Sequence, residues 1–413
     1  MVIFKASKFI LNGITPSPSK SLAQKLLLYH GFIHPVGRGL YSMLPLGQRV
    51  IEKLSRLIDN ELEVIGALKV SMPILGPREL WEKTNRWSDM GSELMHTCDR
   101  TGADMCLQPT AEEMCTQLVA QLPKFKTSHY PLMIYQTTEK FRDEMNPRFG
   151  LIRARQFLMK DLYSFDLSES KANQTYELVS NTYEKILKDK LHLEIFRVNA
   201  DSGVHGDRLS HEYHLRNSLD EDRIQFWTKY SEVLRAVHNG NKPLEMCCFG
   251  IGVTRYDSYI KGFPISITIM IITNRIKHKS GEYDVRLLPA AIEALSPLSN
   301  TAIRLPKAIA PFDIAVIVTK SLLSNVLVEM VLSTMERRLE GGVLLDDRVE
   351  INVGKRLKLL GQLGIPRIVV IGNTTNRTIN EVPRMEYFTT EYNSEKLLNK
   401  GELSLNELIQ VSD

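Results

Sequence analysis

The sequence predicts an α/β protein with two domains: a larger α+β domain, and a smaller C-terminal domain in which strands and helices alternate. The residue patterns over 131–136 and again over 156–161 predict two adjacent strands around a loop at Met145–Leu151. From Ala310 onward the order is strand, helix, strand, helix, strand, which favours a small parallel or mixed sheet covered by helices. A chain of 413 residues, 43% of them apolar, can bury more than one core.

The charge, cysteine content and apolar segments of the chain indicate which partners and which compartment to expect. The net charge of +4 is modest, so it is compatible with an RNA partner without establishing one. The five cysteines show neither metal-ligand spacing nor a disulfide-framework pattern, which indicates a reducing compartment. No segment has the uninterrupted apolar length of a membrane span, so we expect no membrane partner.

The N-terminal stretch is basic and amphipathic. Residues 1–51 contain six lysines and arginines but no acidic residue, and apolar and basic positions alternate over Met1–Leu11. Such a composition is typical of a mitochondrial presequence, which we place at residues 1–15. The expected location is therefore the mitochondrial matrix, with the cytoplasm as the alternative. A short basic arm that contacts RNA is the alternative interpretation of the same residues.

Four side chains on the two predicted strands and their loop have the chemistry of an ATP site. Arg142 can fork onto an α-phosphate, which a lysine cannot do bidentately. Glu144 can accept from an exocyclic amine, and Arg153 can neutralise the outer phosphates. Phe157 offers a face on which adenine stacks, with Arg255 or another cation opposite. The alternative is an edge hairpin with a charged, solvated loop.

These residues carry a family resemblance. The string Phe141-Arg142-Asp143-Glu144, followed by a loop and the run Arg153 to Phe157, resembles motif 2 of the class II aminoacyl-tRNA synthetases. Residues 147–165 as a whole resemble the prolyl-tRNA synthetases of bacterial and organellar type. The resemblance implies a catalytic domain over residues 16–305, built on the antiparallel sheet with helices of that class.

Two further segments match in the expected order. Residues 39–47 open a predicted helix that runs to about Glu63, and a predicted strand ends at Met72-Pro73. This resembles motif 1, which implies a homodimer with Pro73 at its interface. Residues 248–255 resemble motif 3, in which glycines let the backbone approach ATP and Arg255 holds the γ-phosphate.

The run Leu107 to Glu113 resembles the T-x-E loop of prolyl-tRNA synthetases. Thr110 and Glu112 lie two residues apart, so in an extended loop their side chains point to the same side. Both can accept hydrogen bonds from the secondary ammonium of proline, and the resemblance implies that Arg142 binds the proline carboxylate. A helix N-terminus with Thr110 as its cap is the alternative, and both can hold together. Residues 200–203, with Ser210 and His211, are similar to the family's pocket wall.

The C-terminal third, residues 306–413, resembles the anticodon-binding domain of the class IIa synthetases. Its carboxylates can accept from guanine edges and its cations can hold phosphate, since anticodon bases are unstacked and readable. A turn with a solvated charge cluster is the alternative. The residues concerned are Asp346, Asp347, Arg348, Lys355 and Arg356.

Three departures from the family accompany these matches. There is no room between motifs 2 and 3 for a hydrolytic domain, so discrimination against smaller amino acids rests on the pocket. Thr228 is retained as an ATP ligand, but residues 221–227 before it do not match. Residues 256–285 form an insert that resembles nothing in the family, and its apolar run suggests an exposed, aggregation-prone segment.

Together the resemblance implies an enzyme that joins L-proline to tRNA(Pro) through prolyl-adenylate, with ATP and Mg²⁺, in mitochondrial translation. Arg142, Arg153 and Arg255 would orient the reactants and neutralise charge. A noncatalytic, synthetase-like subunit that binds nucleic acid is the alternative. Because of the departures from the family pattern, a second alternative is an impaired splice form of the synthetase.

Overall fold

The structure is a computed structural model that describes residues 3–122, 125–199, 211–215, 237–238, 242–243, 245–252, 267–271, 287–299, 301–323, 325–372 and 383–411. The predictions for Ser210, Thr228 and Arg255 lie outside these residues.

The strands are, in chain order, β1 (Phe4–Lys5), β2 (Ile33–Gly37), β3 (Leu40–Met43), β4 (Leu68–Lys69), β5 (Leu75–Pro77), β6 (Met95–Cys98), β7 (Asp104–Leu107), β8 (Leu132–Phe141), β9 (Gln156–Asp166), β10 (Ile195–Asn199), β11 (His211–Leu215), β12 (Val237–His238), β13 (Lys242–Pro243), β14 (Glu245–Gly252), β15 (Ile267–Ile271), β16 (Ile314–Val318), β17 (Val343–Asp346), β18 (Arg367–Ile371), β19 (Arg384–Thr390) and β20 (Leu397–Ser404).

The α-helices are α1 (Ala6–Phe9), α2 (Leu22–Tyr29), α3 (Pro45–Val64), α4 (Arg78–Glu82), α5 (Arg86–Asp89), α6 (Glu112–Gln121), α7 (Glu169–Glu184), α8 (Leu287–Leu295), α9 (Val326–Arg338), α10 (Val353–Gln362) and α11 (Leu405–Gln410). Short 3₁₀ segments cover Gly91–Glu93, Thr127–His129, Gly150–Ile152, Lys307–Ile309 and Lys320–Leu322, and a π-helical turn covers Lys185–Lys190.

The chain divides into two compact units. The terminal unit comprises Met1–His34, Ser42–Leu54 and Ala291–Asp413, and the central unit comprises Pro35–Tyr41 and Ser55–Ala290. The terminal unit therefore contains the N-terminal residues as well as the C-terminal third.

The central unit is built on an antiparallel hairpin. Strands β8 and β9 pair from Leu132 opposite Phe165 to Phe141 opposite Gln156, which confirms the two predicted strands and extends both. Strand β14 pairs antiparallel with the other side of β9, and β4 pairs parallel with β8. The fold is thus the mixed α/β architecture with an antiparallel catalytic-type sheet that the sequence predicted.

The segment that resembles motif 1 contains the predicted long helix, α3. The strand after it, β4, is shorter than expected: it covers Leu68–Lys69 and does not reach Met72-Pro73. Main-chain pairing with β8 ends when the Val70 amide donates to the Tyr135 carbonyl at 2.8 Å. The Met72 amide then donates to the Gln136 side chain at 3.3 Å, so a side chain replaces the sheet hydrogen bond.

The predicted insert contributes a strand to a second sheet. All five residues of β15 pair antiparallel with β11, from Ile267 opposite Leu215 to Ile271 opposite His211. Strand β11 also pairs with β10 on its other side. The middle of the insert is therefore a paired strand at the end of a three-stranded sheet, contrary to the expectation of a segment foreign to the fold.

The terminal unit contains a six-stranded sheet in the order β1-β17-β16-β18-β19-β20. Strands β17, β16 and β18 are parallel, whereas β19 and β20 are antiparallel additions, which confirms the predicted small mixed sheet. Strands β16 and β18 are buried along their whole length, as expected for central parallel strands covered by helices. Side chains of α9 and α11 complete this core.

The N-terminal residues form the edge of the same sheet. Strand β1 pairs parallel with β17, Phe4 opposite Leu344, and Ala6 is fully buried. The rings of Phe4, Phe9 and Phe312 pack together with centroids 5.3–5.4 Å apart. Much of the predicted presequence is therefore integrated into the fold of the terminal unit.

Across the described part of the chain, no helix combines the length and apolarity needed to traverse a bilayer.

Candidate active site

Arg142 directly follows β8 and Phe157 lies on the neighbouring strand β9, so the two residues are close together, as predicted. The β8–β9 register places Phe157 opposite Lys140, and the Arg142 amide, just beyond β8, donates to the Arg155 carbonyl at 2.9 Å. The Arg142 guanidinium lies 5.3 Å from the centre of the Phe157 ring, and both side chains are buried. The cation thus packs on the face of the ring that was predicted to stack with adenine.

Glu144 and Arg153 are brought together by the loop between the strands. Arg153 Nε donates to Glu144 Oε2 at 2.8 Å, and the Asn146 amide donates to Oε1 at 3.1 Å. The Glu144 main-chain carbonyl accepts from Arg155 Nε at 3.0 Å. The predicted adenine acceptor and the predicted phosphate binder therefore form an ion pair in this structure.

The loop with Thr110 and Glu112 leads into helix α6. The capping prediction for Thr110 is wrong: the helix begins at Glu112 with Ala111 as its cap residue, and no side chain caps it. The Thr110 hydroxyl instead accepts from Arg86 Nη2 at 3.2 Å. Both Thr110 and Glu112 are buried.

Arg86 is a site residue that sequence reasoning missed. Its guanidinium contacts Thr110, Glu112 and Glu113, and it lies over the Trp81 ring at 4.8 Å. Burial raises the pKa of the Glu113 carboxyl, and the Arg86 charge opposes that shift. The signal that could have indicated Arg86 is a lone arginine beside tryptophans in a short polar stretch, which is a weak one.

A polar network on the β8–β9 hairpin supports the same loop from the other side. Asp161 accepts from Lys140 Nζ at 3.2 Å, from Gln136 Nε2 at 2.9 Å and from the Tyr163 hydroxyl at 2.6 Å. The Tyr163 oxygen accepts from the Ala111 amide at 3.1 Å. Burial, followed by the Asp161 charge, raises the pKa of Tyr163 well above its usual value, which keeps this phenol protonated. The network fixes the backbone between Thr110 and Glu112.

Two further bonds connect the predicted segments. The Phe141 amide, one residue before Arg142, donates to the Gln108 carbonyl at 3.1 Å. Gln108 Nε2 donates to the Pro73 carbonyl at 2.7 Å. The segment of motif 1, the loop of Thr110 and the end of β8 thus lie side by side.

The predicted anticodon residues divide into two groups in the terminal unit. Asp346 is fully buried and accepts from Arg348 Nη2 at 2.6 Å, and Arg356 is buried with its guanidinium on the carbonyls of Asp346 and Val318 at 3.0 and 2.9 Å. These contacts favour a structural role for Asp346 and Arg356, because a buried charged group uses its hydrogen-bonding capacity on the partners that stabilise it inside the protein. Lys355 is exposed.

Asp347 is partly exposed, and its carboxylate is hydrogen-bonded to Ser7. Its two carboxylate oxygens accept from the Ser7 amide at 2.9 Å and from the Ser7 hydroxyl at 2.6 Å. Burial alone would raise the pKa of Asp347, but the Ser7 hydrogen bonds outweigh it and hold the pKa below its usual value. Among the predicted pocket-wall residues, His211 begins strand β11.

Comparison with known proteins identifies the family of this chain. Residues 95–261 match the model of the tRNA synthetase class II core domain (G, H, P, S and T). The chain is 35% identical over 402 residues to a probable mitochondrial proline--tRNA ligase of Mus musculus, covering 85% of this chain and 78% of that one. It is 31% identical over 420 residues to a proline--tRNA ligase of a Wolbachia strain, covering 92% and 97%.

Solved structures show the same fold. Giardia lamblia prolyl-tRNA synthetase in complex with prolyl-adenylate superposes with a TM-score of 0.73 at 15% identity, covering 95% of this chain and 76% of that one. The Cryptosporidium parvum enzyme complexed with L-proline and AMP gives 0.69 at 15% identity, covering 94% and 76%.

The antiparallel sheet, the β8–β9 hairpin and the matched core domain define a class II aminoacyl-tRNA synthetase. Within that class, the identity and coverage of the mitochondrial and bacterial relatives show that this chain belongs to the proline--tRNA ligases.

Proposed function

We propose that this chain joins L-proline to tRNA(Pro) in two steps, and that the central unit carries the chemistry. In the first step the proline carboxylate attacks the α-phosphate of ATP, so that prolyl-adenylate forms and pyrophosphate leaves. In the second step a hydroxyl of the terminal tRNA ribose attacks the prolyl carbonyl and AMP leaves. The observation that carries the proposal is the Phe141–Gln108 hydrogen bond, because it holds the Thr110 loop beside Arg142.

Thr110 and Glu112 would accept from the secondary ammonium of proline. Their side chains converge on one guanidinium, at 3.2 Å each, so they face a common point. Arg142 would bind the proline carboxylate and the α-phosphate together, since a guanidinium fork can contact two oxyanions. Bringing these reactants together in one orientation removes much of the entropic barrier.

The remaining ATP contacts would come from the loop and the hairpin. Glu144 would accept from the adenine amine and Arg153 would hold the outer phosphates, which requires their ion pair to open or to be shared with the nucleotide. Phe157, with Arg142 on its face, would line the base site. We also assign Thr228 and Arg255 to ATP, and Ser210 and His211 to the proline pocket, from the family pattern.

We propose that Mg²⁺ enters with the nucleotide. In the described residues no group of three or more histidine, cysteine, aspartate or glutamate side chains is arranged to hold a metal ion. Mg²⁺ is commonly bound chiefly by substrate phosphates and water, with one or two carboxylates. The ion would neutralise phosphate charge when bound.

The terminal unit would recognise tRNA. Asp347, Arg348 and Lys355 remain at least partly exposed, and they have the acceptor and cationic groups that a single-stranded anticodon requires. Asp346 and Arg356 would support them from within.

A homodimer would form on the central unit around Pro73. Several large apolar side chains near this residue are exposed, namely Val64, Leu68, Ile74 and Leu75. Exposed apolar side chains that form a patch mark an interaction site, and a symmetric dimer would cover them with a second copy.

The expected location is the mitochondrial matrix, supported by the mitochondrial relatives of Mus musculus and Homo sapiens. Co-localisation of the tagged full-length chain with a matrix marker tests this, and a purely cytoplasmic signal would contradict it.

Proline-dependent exchange of pyrophosphate into ATP tests the proposed reaction. Exchange that needs both proline and ATP, together with charging of tRNA(Pro), is the expected result. Binding of tRNA without any exchange would instead identify a noncatalytic nucleic-acid-binding subunit.

A further inference from the structure

One arginine connects the two proposed acceptors of the proline ammonium. Arg86 Nη1 donates to Glu112 Oε2 at 3.2 Å, and Arg86 Nη2 donates to the Thr110 hydroxyl at 3.2 Å. Arg86 is only 3% exposed, and both partners are buried as well. The side-chain conformations of Thr110 and Glu112 are therefore held by an arginine that belongs to a different helix, α5.

The guanidinium is itself held rigidly. Arg86 Nη1 also donates to both carboxylate oxygens of Glu113, at 3.1 and 3.2 Å, and Glu113 accepts from the Thr84 hydroxyl at 2.9 Å. The flat face of the guanidinium lies over the Trp81 ring at 4.8 Å. A planar, doubly anchored fork has little freedom to move, so it transmits a fixed geometry to its partners.

We infer that Arg86 is a positioning residue for proline: it orients Thr110 and Glu112 so that their oxygens meet the substrate ammonium. This inference rests on the proposed function. Arg86 acts through these two side chains and does not contact substrate. Acceptors that are already oriented cost no reordering when the ligand binds, so loss of the fork weakens proline binding specifically.

ATP binding should be insensitive to the same change. The proposed ATP residues are held by other contacts: Arg142 by its main-chain bond to Arg155 and its packing on Phe157, and Glu144 by Arg153. A split between the two Michaelis constants therefore separates positioning from a general loss of structure.

The test is pyrophosphate exchange with Arg86→Met and Arg86→Lys, measured against proline and ATP in turn. Arg78→Met is the matched control, because Arg78 pairs with Glu82 and Asp104 on the exposed surface of the same unit. We expect Arg86→Met to raise the proline KM at least tenfold while the ATP KM stays within threefold, and Arg86→Lys to fall in between. The control should match the parent in both constants.

KM does not depend on the fraction of folded enzyme, so partial misfolding does not obscure the result, and Arg86→Lys decides alone if Arg86→Met cannot be purified. Equal rises in both constants, or no rise in either, would overturn the inference. Parent enzyme without proline-dependent exchange would instead overturn the proposed function.

The N-terminal arm, residues 3–10, carries a second and independent inference. Its strand β1 extends the terminal sheet beside β17, and Ser7 binds both oxygens of Asp347 in the residues that follow β17. Lys5 and Lys8 are exposed on this arm. Two cations thus lie on the segment that is bonded to a proposed anticodon residue.

We propose that Lys5 and Lys8 contact tRNA phosphates and so extend the tRNA surface of the terminal unit. The proposal rests on the tRNA-binding role assigned to that unit. Phosphate contacts by lysine add affinity without reading sequence, and they weaken as salt concentration rises. The arm would then be retained in the working enzyme.

Lys5→Glu/Lys8→Glu tests this, with Lys400→Glu as the matched control. Lys400 is an exposed lysine of β20, at the opposite edge of the same sheet. We expect the double variant to raise the KM for tRNA in aminoacylation about tenfold, with pyrophosphate exchange in the absence of tRNA unchanged.

A tRNA KM equal to that of the Lys400→Glu control would overturn the proposal, as would mature protein from mitochondria that begins beyond residue 10. Exchange without any charging of tRNA by the parent would count against the proposed function instead.

Discussion

Glu144 and Arg153 form an ion pair of 2.8 Å across the loop between the two long strands. Glu144 is 7% exposed and Arg153 20%, so the pair lies at the boundary between protein and solvent. Hydrogen bonds that involve charged groups are stronger than neutral ones, and this one joins two residues proposed to bind opposite ends of ATP. The nucleotide therefore meets a preformed pair.

A double-mutant cycle measures this coupling. Glu144→Gln and Arg153→Gln should each raise the KM for ATP about tenfold, corresponding to about 1.4 kcal/mol. The double variant should fall short of the product of the two effects, by about 1 kcal/mol, because residues in contact are not energetically independent. Effects that multiply cleanly would show that the two residues bind ATP separately, and the proline KM is the internal control.

Arg142→Ala should abolish adenylate formation. Loss of a charge-assisted, bidentate contact at a developing transition state costs about 3 kcal/mol or more, so exchange should fall at least about 100-fold. Arg142→Lys should be nearly as impaired, since an ammonium cannot reproduce the fork. Arg148→Ala, an exposed arginine in the same loop, is the control. Exchange by Arg142→Ala within tenfold of the parent would contradict the assignment.

The terminal unit offers a pair of contrasting substitutions. Lys355→Ala should raise the KM for tRNA several-fold without changing the melting temperature, because Lys355 is exposed. Asp346→Asn should do the reverse: it removes the charge from a buried carboxylate that pairs with Arg348 at 2.6 Å, which is expected to cost about 3 kcal/mol of stability. A change in tRNA KM for Asp346→Asn at unchanged stability would restore its predicted base-reading role.

The strands β8 and β9, the helix α3 and the central strands of the terminal sheet were predictable from local sequence. In the terminal sheet the signal is a short continuous apolar run, as in β16 and β18, which are buried at every position. Arg142 and Phe157 were also predictable as neighbours, since an antiparallel hairpin fixes its own register. Gln136 and Asp161 are directly opposite in that register, so their contact could have been deduced once the pairing was known.

Arg86 and the buried charges of the terminal unit were not predictable in this way. Arg86 contacts residues some 25 positions further along the chain, and α5, the helix it begins, is only four residues long. Asp346 and Arg356 were predicted as anticodon ligands from the family resemblance, and charged residues are rarely buried unless they are paired. Their pairing depends on where α10 packs, which the local pattern does not encode. The N-terminal arm is ambiguous for a similar reason, since its basic, alternating pattern suits a presequence and an edge strand equally.

Lower pH should destabilise the terminal unit through His30. This side chain is buried, and burial, aided by the Arg304 charge, lowers its pKa to about 4 from 6.5, against a hydrogen bond with the Thr301 carbonyl that acts to raise it. The fold therefore favours the neutral ring. Its contribution is complete above about pH 6.5 and is lost as pH falls toward 4.

Between pH 7.5 and 5 this group should cost about 2 kcal/mol of unfolding free energy, from the linkage relation. His30→Gln keeps a hydrogen-bond donor but removes the titrating imidazole. In urea unfolding, the variant should therefore lose about 2 kcal/mol less unfolding free energy than the parent between pH 7.5 and 5. His34→Gln, at an exposed histidine, is the matched control and should behave as the parent. Parallel pH profiles for all three proteins would exclude His30 as the origin.

The dimer prediction depends on side chains that the central unit leaves uncovered. Val64 is 79% exposed and Leu68 is 58% exposed, at the end of α3 and in the edge strand β4 that precedes Pro73. Val64→Asp/Leu68→Asp should convert a dimer at micromolar concentration into a monomer, because two carboxylates would have to be buried in the contact. Light scattering measures the mass directly. Val326→Asp is the matched control, since Val326 is 77% exposed at the start of α9 in the terminal unit and should leave the mass unchanged. A monomeric parent, or a double variant that stays dimeric, would show that the apolar residues around Pro73 do not form the interface.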